Sequence, residues 1–308
     1  MRTIRRHFTQ PPLNAMTNSA QEVAWNGIRF PAPGDWEVSP VGICHLLLED
    51  AEGPALEIKW GLIKGNFSHQ AHLKKLAALL GKQPGRALKE CSLPRDWQTA
   101  LSDFEVSGFS WEAQAAGGRG VILFCPVCRR ATLIQFFHRR PVPVPEIASC
   151  ILANFQDHPP DSQIRWAIFD IRATVPETFQ LVRYRFEAGK FELAFAAGPQ
   201  RIALHRWGLA SVCLNGRNLT QFAKTQAQFS EGKPWAVTPG GYPGLEWSLS
   251  PPTRWRWWWN PLRSKPSHQW YRLWHLKEKN RILGVRAEGH RAFDRQLLDG
   301  ICARYESI

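Results

Sequence analysis

The strongest constraint on the fold is an internal repeat. The first half of the chain carries Ile28-Arg29, then Pro33, then Trp36-Glu37-Val38. Ile171-Arg172, Pro176 and Phe179-Gln180-Leu181 follow at a constant offset of 143 residues. Four residues are then added, so that Lys59-Trp60-Gly61-Leu62 meets Arg206-Trp207-Gly208-Leu209. Further on, Gly108-Phe109-Ser110-Trp111 meets Gly244-Leu245-Glu246-Trp247. Matches that keep one order with small shifts point to an ancestral unit duplicated in tandem. A chain of 308 residues has room for two domains of ordinary size.

Within each half the apolar and aromatic residues alternate, giving a sheet with one buried face. A strand, a turn and a strand are predicted at Val121–Cys125 with Thr132–Phe137, and again at Trp270–Trp274 with Arg281–Arg286. A helix is predicted from His69 to Leu80, with Ser68 as N-cap and Leu73, Leu76, Ala77 and Leu80 on one face. Its counterpart follows Asn218, with Leu219, Phe222 and Ala223 in matching places. Each half closes on an amphipathic helix, near Val144–Phe155 and Ala292–Tyr305. The expected class is therefore α+β: two tandem homologous units, each a mostly antiparallel sheet packed with amphipathic helices. They span residues 22–157 and 163–308, and the polar, Pro-containing stretch 156–162 is the expected boundary. Trp36, Trp60, Trp111, Trp207 and Trp247 recur at equivalent places and are expected to fill sheet–helix cores.

Residues 1–21 hold Arg2, Arg5 and Arg6 but no apolar run, and read as a disordered leader, not a secretory signal. Seven cysteines at irregular spacing suit free thiols in a reducing compartment, so a cytoplasmic protein is expected. The net charge of +13 favours anionic partners, although the positive residues are spread along the whole chain.

The opening of each unit also resembles a known family. A strand Ile28-Arg29-Phe30, a turn at Pro33 and a second strand opened by Trp36 resemble the start of PsbP-like domains. That family includes photosystem accessory proteins, a Ran-binding nuclear import factor and small chaperones for secreted bacterial effectors. The resemblance implies a mostly antiparallel sheet with helices on both faces, and protein binding more often than catalysis. It carries no site residue over to this chain.

One segment breaks the repeat. Between equivalent strands the first half has only the short connection 114–119, whereas the second half has an insertion over residues 251–269. It contains Arg254, Trp255, Arg256, Trp257, Trp258, Trp259, Arg263 and Lys265. If the first copy closes its core without these residues, the shared fold does not require them. Three roles compete: a private plug against the domain junction, a protein-binding loop rich in hot-spot residue types, or a grip on an anionic polymer or lipid surface. Single-stranded nucleic acid is bound by such mixtures of stacking rings and cations. Prolines at 251, 252, 261 and 266 argue against an amphipathic helix lying on a bilayer. A membrane surface is therefore the least favoured partner.

The search for chemistry finds little. Cys125-Pro126-Val127-Cys128 sits on a strand–turn–strand, where zinc knuckles place two thiolates, but a structural site needs four ligands. No second CxxC exists, glycine is absent after Cys128, and Cys91 or His138 would have to be brought in by folding. A redox pair and an inert turn are the other readings of this motif. Gly117-Gly118-Arg119-Gly120 reads as a hairpin turn, and no GxSxG elbow or HExxH helix occurs. His205 reads as a packed histidine; Glu57 and His205 occupy unequal repeat positions and form no catalytic pair. The expected function is a non-enzymatic binding or adaptor protein that recognises a protein through the Trp/Arg loop or the inter-domain cleft. The alternatives are a single-stranded nucleic-acid binder and an enzyme with a site between the domains.

Overall fold

Strand pairing dominates the chain. The computed structural model describes residues 20–80, 87–113, 116–138, 145–159, 161–226, 232–250 and 268–308. It divides into two units, Met1–Pro159 and Pro160–Ile308. Unit 1 begins with a hairpin of β1 (Gln21–Trp25) and β2 (Ile28–Ala32) and a meander of β3 (Glu37–Gly42), β4 (His45–Asp50) and β5 (Gly53–Leu62). Next come α1 (His69–Leu80), β6 (Ala87–Cys91), α2 (Arg95–Ala100), β7 (Glu105–Glu112), β8 (Gly117–Phe124), β9 (Arg130–His138) and α3 (Pro145–Ala153). Seven of these strands form one antiparallel sheet in the order β3-β4-β5-β9-β8-β7-β6.

Unit 2 begins with the hairpin β10 (Gln163–Ile168) and β11 (Ile171–Pro176), then the meander β12 (Gln180–Glu187), β13 (Lys190–Ala197) and β14 (Gln200–Gly208). After α4 (Ala210–Leu214) and α5 (Leu219–Gln226) come β15 (Trp235–Val237), β16 (Gly244–Leu249), β17 (His268–Leu276), β18 (Arg281–Gly289), α6 (Arg295–Ala303) and β19 (Glu306–Ser307). Its antiparallel sheet runs β12-β13-β14-β18-β17-β16-β15, the same path strand for strand, and β19 pairs with β11.

The outcome corrects the expected class. Of the described residues 51% are strand and 20% helix, a β-rich fold and not an α+β fold covered by amphipathic helices. The excess of strand arises in the meanders, where Leu46, Leu48, Leu56, Ile58 and Trp60 are buried at period two. The helices are short, between 5 and 12 residues, and cover only part of each sheet: α1 meets β6 and β7, and α5 meets β16 and β17.

Where the helices pack, the local signals are legible. The Ala71 amide donates to Ser68 Oγ at 3.3 Å. Asn218 and Gln221 exchange amide-to-side-chain bonds at 2.9 and 3.0 Å, a reciprocal cap at the start of α5. Leu73 of α1 packs with Phe109, Trp111 and Ile122, and Phe222 of α5 packs with Trp207, Trp247 and Tyr271. Trp60, Trp111, Trp207 and Trp247 are buried as expected, whereas Trp36 is half-buried.

Gly117–Gly120 is part of β8 and not a turn. The reason is steric. Gly118 lies opposite Trp111, and a Cβ there would come within 2.6 Å of the indole Cε2. At the same register unit 2 places Tyr271 opposite Trp247, and the two rings stack at 5.8 Å. One unit leaves room where the other fills it.

Candidate functional site

The insertion residues Arg254, Trp255, Arg256, Trp257, Trp258, Trp259, Arg263 and Lys265 lie outside the described residues. Leu249 pairs with Gln269, so the segment leaves and rejoins the sheet of unit 2 on one pair of neighbouring strands.

The Cys125–Cys128 turn, by contrast, is fully described and has company. The Cys125 amide donates to the Arg130 carbonyl at 2.9 Å, and the Arg129 amide returns to Cys125 O at 2.9 Å. Arg129 takes φ 57°, the left-handed conformation that a glycine after the second cysteine would adopt without strain. Its guanidinium donates to Ile63 O at 3.4 Å and Gly65 O at 2.6 Å, which holds the strained residue in place. Beyond α3, Gln156 exchanges two backbone bonds with Arg29, at 2.8 and 2.9 Å, and this lays the next two residues over the turn. The Arg130 guanidinium donates to the Asp157 carbonyl oxygen.

As a result Cys125, Cys128, Asp157 and His158 face one another, with all four donor atoms within 4.8 Å. Cys128 Sγ donates to Asp157 Oδ2 at 3.1 Å, Cys125 Sγ lies 3.8 Å from His158 Nδ1, and that nitrogen lies 2.6 Å from Asp157 Oδ1. Burial, then the Asp157 carboxylate, pushes the Cys128 thiol up to about 12. Both thiols are free. These four side chains are the set among the described residues that can hold a metal. The sequence pointed to Cys125 and Cys128 but not to their neighbours. Asp157 and His158 lie in the stretch expected to be a linker, yet Asp157 is 2% exposed. His138 ends β9 at the far end from the turn, and Cys91 pairs with Gly108, so neither completes the set.

A second polar pair sits on the meanders. In unit 2, Glu192 of β13 stands in register with His205 of β14, 3.6 Å apart, and Arg183 donates to the same carboxylate. The His205 hydrogen bond holds the Glu192 carboxyl down at about 2, with Arg183 adding to the effect. Burial lowers the His205 pKa, its ring stacks on Trp207 at 5.3 Å, and its Nδ1 has no hydrogen-bond partner among the described residues. Unit 1 carries the same pair with the strands exchanged: His45 of β4 and Glu57 of β5, 3.0 Å apart. Glu57 and His205 thus belong to separate pairs, each closed within its own hairpin.

Both shifts in unit 2 have the same sign. Glu192 normally titrates near 4.5 and His205 near 6.5, so the unfolded chain binds protons more readily at each. Stability should begin to fall below pH 6.5, through His205, and fall further between pH 4.5 and 2, through Glu192. Glu192→Gln should lose about 2 kcal/mol at pH 7, with the gap to the parent closing toward pH 3. Denaturant midpoints across that range read the effect, and parallel curves would contradict it.

The turns of the two leading hairpins differ in chemistry. The β1–β2 hairpin turns on Asn26 and Gly27, with φ 47° and 89°. The β10–β11 hairpin places Phe169 at φ 53° in the same position. This ring is 39% exposed and lies 4.8 Å from Phe186 and 5.3 Å from Phe191. Asp170 beside it accepts from Arg206 Nε at 2.8 Å and Arg281 Nε at 3.0 Å, and the Arg206 guanidinium lies over Phe191 at 3.8 Å. Tyr184 on the edge strand β12 continues the apolar surface, its ring 5.6 Å from Phe186. A groove of about 350 Å³ in unit 1 holds Cys91 and Glu90, and the Glu90 carboxylate accepts from Ser107 Oγ at 3.1 Å.

No protein-family model and no curated protein matches the chain. Among solved structures it is similar to the immunity protein TplEi of the T6SS from Pseudomonas aeruginosa, at 12% identity and a TM-score of 0.36, over 94% of this chain and 97% of that one. It is also similar to MucB in complex with MucA(peri), at 9% identity and a TM-score of 0.20, over 91% and 82%. A protein from Bacteroides thetaiotaomicron VPI-5482 matches at 11% identity and a TM-score of 0.28, over 50% of this chain. The chain spans about half of that protein, 53% of its length. No helix among the described residues is long and apolar enough to cross a membrane.

Proposed function

We propose that the chain is a non-enzymatic binding protein made of two copies of one sheet unit, whose second copy recognises a protein partner. Phe169 carries this reading. A left-handed conformation costs an ordinary side chain about 1–2 kcal/mol, and unit 1 meets the same turn with Asn26, a residue type that tolerates it. Unit 2 instead holds a large ring there with 39% of its surface in water. Strain and exposed apolar area both oppose folding, and strained positions of this kind cluster where a second molecule is bound. Phe186, Phe191 and Tyr184 extend the surface around it.

The charge of +13 speeds encounter with an acidic partner, which the apolar surface then holds. The insertion from Arg254 to Lys265 supports the same reading, since unit 1 closes its sheet without an equivalent segment. The resemblance of both unit openings to PsbP-like domains points in the same direction. Seven free thiols suit a reducing compartment and support a cytoplasmic location.

The test compares the parent chain with Phe169→Asn as baits in cell extract. A protein that the parent retains at about 0.5 M salt, and that the variant loses, supports the proposal. Equal retention by both baits would overturn it. Release of every captured species by moderate salt together with nuclease would instead favour a single-stranded nucleic acid partner.

A further inference from the structure

We propose that Cys125, Cys128, Asp157 and His158 bind one zinc ion, which pins the end of unit 1 to the β8–β9 turn. The donor set is two thiols, an imidazole and a carboxylate, four ligands of the types that zinc takes. Zn–S bonds of about 2.3 Å and Zn–N or Zn–O bonds of about 2.0–2.2 Å place tetrahedral ligand atoms roughly 3.3–3.8 Å apart. Two separations here, 3.1 and 3.8 Å, already lie near that range. The third, 2.6 Å between His158 Nδ1 and Asp157 Oδ1, opens by about 0.7 Å when a cation replaces the hydrogen bond between them.

Two independent features point to a cation. The first is the Asp157 carboxylate, 2% exposed, whose oxygens meet the Cys128 thiol and the His158 ring, with no Lys or Arg ion pair among the described residues. The Arg130 guanidinium is spent on the carbonyl oxygens of Asp157 and Gly27. A buried carboxylate calls for a positive charge; His158 supplies one only when protonated, whereas a divalent ion serves the carboxylate and both sulfurs at once. The second is the turn itself, a CxxC whose next residue, Arg129, is forced left-handed so that both sulfurs face the same side. Thiolate ligands select zinc over magnesium or calcium. Four protein ligands close the coordination sphere, so the role is structural. His158 is 42% exposed and leaves the ion a route in. The consequence is mechanical: residues 156–158 are held to the sheet directly before unit 2 begins at Pro160.

The experiment uses the full chain, purified under reducing conditions without chelator, with metal read by mass spectrometry. One zinc per chain is expected, with a loss of more than tenfold in Cys128→Ser and in His158→Ala. Chelator should lower the melting temperature of the parent and leave that of His158→Ala unchanged. Cobalt(II) added to the stripped parent chain should give thiolate-to-cobalt charge transfer and tetrahedral ligand-field absorption. This readout needs no variant to fold. Absence of zinc together with absence of a cobalt spectrum at equimolar metal would overturn the proposal. So would a Cys125–Cys128 disulfide in the protein kept reduced throughout.

Discussion

Replacing Glu246 with alanine should cost unit 2 about 3–5 kcal/mol, the largest loss expected from any single carboxylate among the described residues. Glu246 lies on β16, fully buried, and is enclosed by donors. Arg272 Nε donates to Oε2 at 2.7 Å, and Arg295 Nη2 donates to the same oxygen at 3.0 Å. Trp270 Nε1 donates to Oε1 at 3.0 Å, and Arg272 also meets Asp299 at 2.6 Å. The net worth of such a cluster against an apolar replacement is small, because each charge was taken out of water to form it. Removing one member is a different event. Arg272, 8% exposed, would keep its charge in the interior and lose its main counter-ion. Unit 1 shows that the fold itself does not demand the cluster: at the same register Ser110 lies opposite Arg119, which donates to Ser92 O. Denaturant unfolding reads the effect, and a loss below about 1 kcal/mol would mean that Arg272 finds water or another acceptor.

Gly120→Val should be comparably severe in unit 1, about 3 kcal/mol or more, with loss of soluble protein as the visible result. Gly120 sits in β8 opposite Phe109, which is fully buried. A Cβ there would come within 2.6 Å of Phe109 Cζ and 3.0 Å of Gln135 Cα, and would collide with the Ile134 carbonyl oxygen. Neither a backbone carbonyl in a paired strand nor a fully buried ring yields cheaply. Unit 2 solves the same crossing with large and small exchanged. Leu273 stands where Gly120 does, and Gly284 on the next strand makes room for it. Gly120→Val with full solubility and an unshifted melt would contradict this packing.

Much of the architecture was legible because it rests on local chemistry. The α1 boundaries follow from Ser68 and the spacing of Leu73 and Leu76, and the strand pairs β8–β9 and β17–β18 follow from alternation. The weight of strand over helix was not. The meanders read as alternating runs whose pairing partners are distant in sequence, such as β5 with β9 and β14 with β18. The glycines of β8 have the composition of a turn, but their reason is a ring on another strand. The metal ligands were half legible: Cys125 and Cys128 lie three residues apart, whereas Asp157 and His158 arrive only because Gln156 pairs with Arg29. Phe169 gave no signal at all, since its significance is a backbone angle.

That angle also supplies the most direct test. If Phe169 is held for a partner and not for the fold, Phe169→Asn should unfold within about 0.5 kcal/mol of the parent or above it, because relief of about 1–2 kcal/mol of left-handed strain offsets the partial burial lost. The measurement is the free energy of unfolding in denaturant of the two proteins side by side. A loss of about 2 kcal/mol or more would make the ring a structural element of unit 2 and remove the ground for a binding surface there.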